Sequence, residues 1–298
     1  MKDSWHSYMK VGIVHPMAFP DLPVVATLQK IAEDEFFGAV EIGIIGPEIK
    51  PAVTKILQTS HLIVGFCGQV IIRNENLDLN SLDKVFRDKT VARMKAAVDE
   101  SYSLGVHKMA MLSGPDPGAE KRSEARKALL DSLIQICSYA KGKGNLSIVL
   151  EVFDREIDKK CFVGPTKEAA QIAAEVRRQC PNFGLMIDLS HVPLLYETPE
   201  QSIKAAGQYL SHVHVGNCVL KDKNHIAYGD KHPRFGLDVG ENDVEQVRQF
   251  LKALMDIGYI GPGKQNVVAF EVKPLPGESP ELVIANAKRT LLEAWAKL

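Results

Sequence analysis

A chain of 298 residues in which 36 Lys and Arg face 37 Asp and Glu has a net charge of −1, so it exerts no general attraction on nucleic acid or on an anionic membrane surface. The length exceeds that of most small domains but suits one α/β barrel over residues 1–298, large enough to bury roughly three-quarters of its unfolded surface. Cys67, Cys137, Cys161, Cys180 and Cys218 show no metal-ligand spacing and are odd in number, which argues against a disulfide framework and for a reducing, cytoplasmic setting with a small-molecule partner.

The polar N-terminus leads into a run broken at His15 and Pro16, so neither a leader peptide nor a membrane span is expected. Strand-sized apolar runs then alternate with amphipathic stretches. Residues 10–19 read as the first strand and 22–36 as its helix, 39–45 and 47–59 as the second pair, and 62–69 as the third strand, whose helix at 81–104 follows a longer loop through Asn74, Asn76 and Asn80. The fourth pair is 108–113 and 122–141, the fifth 146–153 and 165–179, and the sixth 183–190 and 199–209. A seventh strand at 210–216 is followed by a polar excursion over 217–242 and a helix at 243–257; the eighth, 266–273, closes with a helix at 280–297. Eight strand–helix units predict a (β/α)8 TIM barrel. A doubly wound open sheet often carries a Gly-rich loop after its first strand, where this chain has His15-Pro16-Met17-Ala18-Phe19-Pro20.

Barrel chemistry sits at the C-terminal ends of strands. Four consecutive strands place Glu151, Asp188, His214 and Glu271 there. Three carboxylates and an imidazole cannot share a half-buried rim uncompensated, because like charges raise one another's pKa and cost folding energy. One divalent cation resolves this, and an oxygen-rich donor set suits Mn²⁺ first, with Mg²⁺, Co²⁺ or Zn²⁺ as alternatives.

His191, three residues past Asp188, either donates to a substrate oxygen or makes a structural hydrogen bond. Lys273 shares a strand face with Glu271 and steadies an oxyanion or forms a salt bridge. Arg155 and Glu156 either clamp substrate hydroxyls or are exposed loop charges, His212 reads as a barrel-core histidine, and Glu41 and His15 complete the expected rim. The long seventh loop has Asp230, His232 and Arg234 as a substrate lid. Asn242 or Asp243 reads as the cap of the next helix.

Leu150-Glu151-Val152, Ile187-Asp188-Leu189-Ser190-His191, His212-Val213-His214 and Phe270-Glu271-Val272-Lys273-Pro274 together resemble the sugar phosphate isomerase/epimerase superfamily of xylose isomerase-like barrels. The resemblance implies that Glu151, Asp188, His214 and Glu271 bind one metal ion, that Glu151 and Glu271 double as acid and base, and that His191 touches substrate. It further implies a homodimer or homotetramer acting on a ketose or keto-sugar by proton abstraction beside a carbonyl. Where ketose 3-epimerases carry an arginine six residues past the ligand histidine, this chain has Leu220 and then Lys221, and Glu156 stands one residue early; both departures bear on free-ketose activity. The abasic-site endonucleases of the superfamily share an Asp-x-His pair like Asp230-Lys231-His232, but carry histidines where this chain has Cys67, Gln69 and Ser113. The second expectation is a lyase of the carbon-glycoside deglycosidase or inosose dehydratase type, the former with a small partner subunit. The absence of an Arg-rich or Gly-rich cradle near the last two loops favours an unphosphorylated substrate.

Overall fold

The computed structural model describes residues 4–298. Its strands are β1 (Lys10–Ile13), β2 (Ala39–Ile42), β3 (Ile63–Cys67), β4 (Lys108–Met111), β5 (Ser147–Glu151), β6 (Phe183–Asp188), β7 (Leu210–Val215) and β8 (Val267–Phe270). The helices are α1 (His15–Ala18), α2 (Val24–Ala32), α3 (Lys50–Ser60), α4 (Gln69–Asn74), α5 (Lys84–Ser103), α6 (Arg122–Lys143), α7 (Thr166–Arg177), α8 (His191–Leu194), α9 (Pro199–Ala206), α10 (Val244–Asp256) and α11 (Pro280–Ala296). All ladders are parallel, in the order β1-β8-β7-β6-β5-β4-β3-β2. The barrel is nearly closed between β1 and β2, where the isolated bridge of Val14 with Glu41 and a hydrogen bond from Gly38 N to Val11 O (2.9 Å) join the seam.

Strands flanked by helices on one face and packed into a barrel on the other are apolar on both faces, and β2, β6 and β8 are buried throughout. Local chemistry sets the helix ends. Asp83 caps α5 by accepting from Val85 N (2.9 Å), Thr198 and Gln201 form a reciprocal box before α9, and Ser279 precedes Pro280 at the first position of α11. No helix of the described residues is long and apolar enough to cross a membrane.

The barrel interior is narrow. Ala39, Val267 and Ala269 form one small cluster and Ala110, Val149 and Met186 another. At the bottom, the Lys108 amine reaches the Ser211 carbonyl across the barrel, and burial draws that amine down to about 8.

The β6–β7 ladder decides where the histidines point. Leu185 pairs with Leu210, but Met186 pairs with His212 and Asp188 with His214, so the register slips by one residue at Ser211. Side chains alternate faces along a strand, and the slip turns His212 and His214 inward where strict alternation from Leu210 would turn them out. Ser211 fits because the facing position on β6 is Gly184, where an added Cβ would stand 2.3 Å from Ser211 Cβ.

The structure shortens several predicted strands. The first ends at Ile13, because Pro16 at the start of a turn of helix fixes a helical φ and removes an N–H from any ladder. The third ends at Cys67 and yields Gln69 to α4, a helix the sequence reading leaves as loop. The eighth ends at Phe270, so Glu271 and Lys273 lie just beyond the ladder. Asp243 precedes α10 and receives Gln246 Oε1 on its backbone N–H (3.0 Å), while Asn242 is buried and donates to the Leu189 and Gly216 carbonyls (2.9 and 3.0 Å).

Gly184→Ala is expected to destabilise the protein by about 2–3 kcal/mol through overpacking against Ser211, read as a lower urea midpoint at unchanged slope.

Candidate active site

Glu151 ends β5, Asp188 ends β6, His214 lies on β7 and Glu271 follows β8. One donor atom from each lies within 4.8 Å of the other three. Asp188 is fully buried, Glu151 and His214 nearly so, and Glu271 keeps 15% of its side chain exposed. His214 Nδ1 donates to Glu271 Oε2 at 2.5 Å and stands 3.9 Å from Asp188 Oδ2. Asp188 Oδ1 accepts the Ser190 N–H at 2.6 Å. Glu151 Oε2 accepts from Gln69 Nε2 at 2.7 Å. Glu151 Oε1 and Asp188 Oδ2 are buried without a hydrogen-bond partner. Orphaned carboxylate oxygens are costly unless a cation or proton meets them, so the donors present fit a divalent ion with oxygen and imidazole ligands.

A second layer lies against this set. Asp230 Oδ1 stands 2.9 Å from His232 Nε2 and 3.2 Å from His191 Nε2, and its Oδ2 stands 2.8 Å from the Lys159 amine. His191 Nδ1 donates to the Val152 carbonyl at 2.9 Å, and its ring packs on Phe153 with centroids 4.4 Å apart. Burial works against the charge on both imidazoles, but Asp230 outweighs it and carries His191 up to about 10 and His232 up to about 9. Burial likewise opposes the charge on Asp230, yet the two imidazoles hold it well below the usual carboxylate range.

Lys159 was not singled out by sequence. Asp154 accepts the backbone N–H groups of Ile157, Asp158 and Lys159 (2.7, 2.8 and 2.9 Å), a tight turn that aims Lys159 at Asp230. Asp158 Oδ2 also accepts the Asp230 N–H at 2.9 Å, so the loops after β5 and β7 are tied together. Gln69, which the sequence places at the end of the third strand and gives no site role, opens α4 and donates to Glu151.

Above the donors opens a cavity of about 870 Å³. Glu151, His214, Glu271, Asp230 and His232 face it, with Gln69, Lys159 and Lys273 on its sides. Part of its outer wall is apolar, with Met17, Leu22, Ile226 and Leu275, and part is charged, with Asp21, Arg73, Lys231 and Glu278.

Several expected site residues fall elsewhere. Arg155 does not line the cavity; its guanidinium is held by Glu168 Oε2 (2.7 Å) and the Phe162 carbonyl (2.9 Å). His191 is buried behind the lining rather than in it, both ring nitrogens facing protein oxygens. His15 is buried against Thr27 Oγ1 at 2.8 Å, away from the cavity. Glu41 is not on the rim but beneath the site, where His212 and His214 reach it. Arg234 turns to Glu278 Oε1 at 2.9 Å, and Glu156 is exposed. Lys273 lines the cavity with an exposed side chain, and its backbone N–H donates to the His232 carbonyl at 2.7 Å.

Residues 41–286 match the family described as xylose isomerase-like TIM barrel. The chain belongs to that family. The L-ribulose 3-epimerase of Methylomonas sp. (strain DH-1) is 28% identical over 233 residues, spanning 75% of this chain and 71% of that protein. The solved IOLI protein with a binding zinc atom superposes with a TM-score of 0.73 at 18% identity, covering 97% of this chain and 99% of its own. The apo 3-keto-D-glucoside 4-epimerase YcjR from E. coli superposes with a TM-score of 0.65 at 16% identity, covering 97% and 98%.

Burial pushes Glu151 up to about 8 against the pull of His191, and His214 is raised well above its ordinary value by Glu41 and Glu271 against the effect of burial. Both groups therefore hold protons at pH 7 that a cation must displace. Mn²⁺ affinity is expected to rise as pH rises from 6 toward 8, and titration calorimetry at pH 7 in buffers of different ionisation enthalpy to read about one to two protons released per ion. Lys159→Met, which leaves Asp230 short of its cation, is expected to cost on the order of 3 kcal/mol in chemical denaturation.

Proposed function

We propose that this xylose isomerase-like barrel is a divalent-metal-dependent sugar isomerase or epimerase that removes a proton beside the carbonyl of a ketose or keto-sugar. The observation that carries the reading is the pair Glu151 and Glu271, contributed by β5 and the end of β8, both facing one cavity with Asp188 and His214 between them. The sugar epimerase among its relatives supports the same class.

Glu151, Asp188, His214 and Glu271 would hold the ion, Mn²⁺ in this reading, and the zinc atom of a related barrel supports a divalent metal at such a centre. Such an ion, when bound, supplies Lewis-acid stabilisation of the negative charge that develops on the substrate carbonyl oxygen. One of the two glutamates accepts the C–H proton and the other, carrying a proton, returns one. For epimerisation the return is to the same carbon from the opposite side, and for isomerisation it is to the neighbouring carbon.

His232, its Nε2 held by Asp230, and Gln69 line the cavity beside the donors as candidate substrate contacts, and Lys273 lines it as well. His191 acts one layer behind, holding Asp230 and through it His232. Asp230, paired by Lys159, keeps this layer charged and in place. A homodimer or homotetramer is part of the proposal.

A second reading is a lyase on 3-keto glycosides or keto-inositols with the same first step. It is favoured by the volume of about 870 Å³ and by the apolar part of the outer wall, since a free sugar offers hydroxyls that Met17, Leu22, Ile226 and Leu275 cannot satisfy. A small partner subunit belongs to this reading.

The test is to incubate the Mn²⁺-loaded protein in D₂O with ketopentoses, ketohexoses, keto-inositols and 3-keto glucosides and to follow C–H exchange by NMR. Exchange without group loss is expected for the isomerase reading, exchange with release of alcohol or water for the lyase, and silence across the panel sinks proton abstraction. Glu151→Gln and Glu271→Gln are each expected to lower kcat by about 10²- to 10⁴-fold at matched metal content.

A further inference from the structure

We infer that Glu41 is a positioning residue for the proposed metal centre, holding His214 in the one tautomer and ring orientation that offers Nδ1 to Glu151, Asp188 and Glu271. The inference rests on the metal reading above but concerns a different strand and a deeper layer of the barrel.

The geometry carries it. His214 is a bridge: its Nδ1 faces the carboxylates of the candidate centre, and its Nε2 points down the barrel to Glu41 Oε1 at 2.9 Å. The same oxygen accepts from His212 Nε2 at 2.7 Å. Two ring N–H groups on one carboxylate oxygen leave no freedom about which nitrogen of His214 carries hydrogen, since a carboxylate only accepts. With Nε2 kept protonated by Glu41, Nδ1, whose N–H now meets Glu271, is the nitrogen that would give up its hydrogen to a cation, the arrangement in which a carboxylate behind a histidine raises its basicity and fixes its plane.

The chain makes room for this carboxylate at a cost. Glu41 is 3% exposed in the middle of the barrel, where an unpaired charge is expensive. Among the described residues its ion pairs are with His212 and His214. Its neighbour on β3 is Gly65, where an added Cβ would lie 2.8 Å from Glu41 Cγ, so any other residue there would displace the side chain. The backbone of Glu41 is pinned by its bridge to Val14 at the barrel seam. His212 has no hydrogen-bond partner at Nδ1 and so has Glu41 as its anchor. These contacts place one acceptor beneath His214, shared with His212 and with no other ion-pair partner among the described residues.

Cobalt(II) tests the inference, because it reports affinity and gives hyperfine-shifted proton signals from ligated imidazoles. The full-length wild type is expected to bind one Co²⁺ and to show a shifted N–H signal that exchanges slowly with solvent, the Nε2–H of His214 sealed against Glu41. Glu41→Gln, which keeps the size and loses the charge, is expected to bind Co²⁺ about 10- to 100-fold more weakly and to shift that signal and speed its exchange. A purely structural Glu41 would lower thermal stability and leave affinity and the signal unchanged in Glu41→Gln, and that result overturns the inference. Should Glu41→Gln fail to fold, the wild-type spectrum still decides, because absence of a slowly exchanging shifted N–H overturns it alone. Binding of two Co²⁺ ions in the wild type, one of them lost in Glu41→Gln, would make Glu41 a ligand itself and also overturns it. Failure of the wild type to bind any Co²⁺ or Mn²⁺ overturns the metal reading first, a result distinct from the others.

Discussion

Crowded negative charge is the constraint on which the rest of this barrel depends. Glu41, Glu151, Asp188, Asp230 and Glu271 are drawn into one end of a narrow cylinder, four of them almost wholly out of solvent. Two like charges 4 Å apart repel by about 4 kcal/mol even at an effective dielectric of 20, so such a set cannot fold without positive partners placed one by one. His214 stands between Glu41 and Glu271, His191 and His232 flank Asp230, and Lys159 closes the far side of Asp230. What remains uncompensated is the pair of oxygens on Glu151 and Asp188 that face each other's neighbourhood. The compensation is uneven, and the uncompensated oxygens belong to two members of the candidate metal-binding group.

The scaffold serves this arrangement through a few local departures from regularity. The one-residue slip between β6 and β7 turns two histidines inward together, and Gly184 and Gly65 give space to Ser211 and Glu41. The Asp154 turn throws Lys159 across to the next loop but one, where Asp230 meets it, while Asp158 holds the amine from its own loop. Charged loop residues outside this web are bound to one another instead: Arg155 to Glu168, Arg234 to Glu278.

Eight strand–helix units and the ends of β5 to β8 were legible in sequence, because a buried parallel strand is a short apolar run and an acid at its end breaks the pattern visibly. Asp188 and Glu271 stand out in Ile187-Asp188-Leu189 and Phe270-Glu271-Val272 for that reason. Glu41 was visible as Val40-Glu41-Ile42 but was assigned to the rim, because depth along a strand depends on the tilt and stagger of its neighbours. Lys159 sits among charged loop residues where no periodicity operates, and its value comes from a contact 71 residues away in Asp230. Arg155 had the right type and position along the chain, but direction out of a loop follows from turn geometry that only coordinates show. His191 was read as a substrate contact, and the Val152 carbonyl draws its ring away.

The donors gathered around the cavity come from β5 through β8, the C-terminal half of the chain, whereas Glu41 comes from β2. The hydrogen bonds from His212 and His214 to Glu41 therefore cross the barrel axis and join the two halves through its centre, in addition to the ladders around its wall. A chain divided between β4 and β5 would leave one half with a buried carboxylate and no N–H to meet it, and the other with histidines lacking their acceptor. Neither half-turn of strands can bury its polar residues alone. The half-barrels are electrically complementary pieces, and their union is enforced by charge as well as by apolar packing.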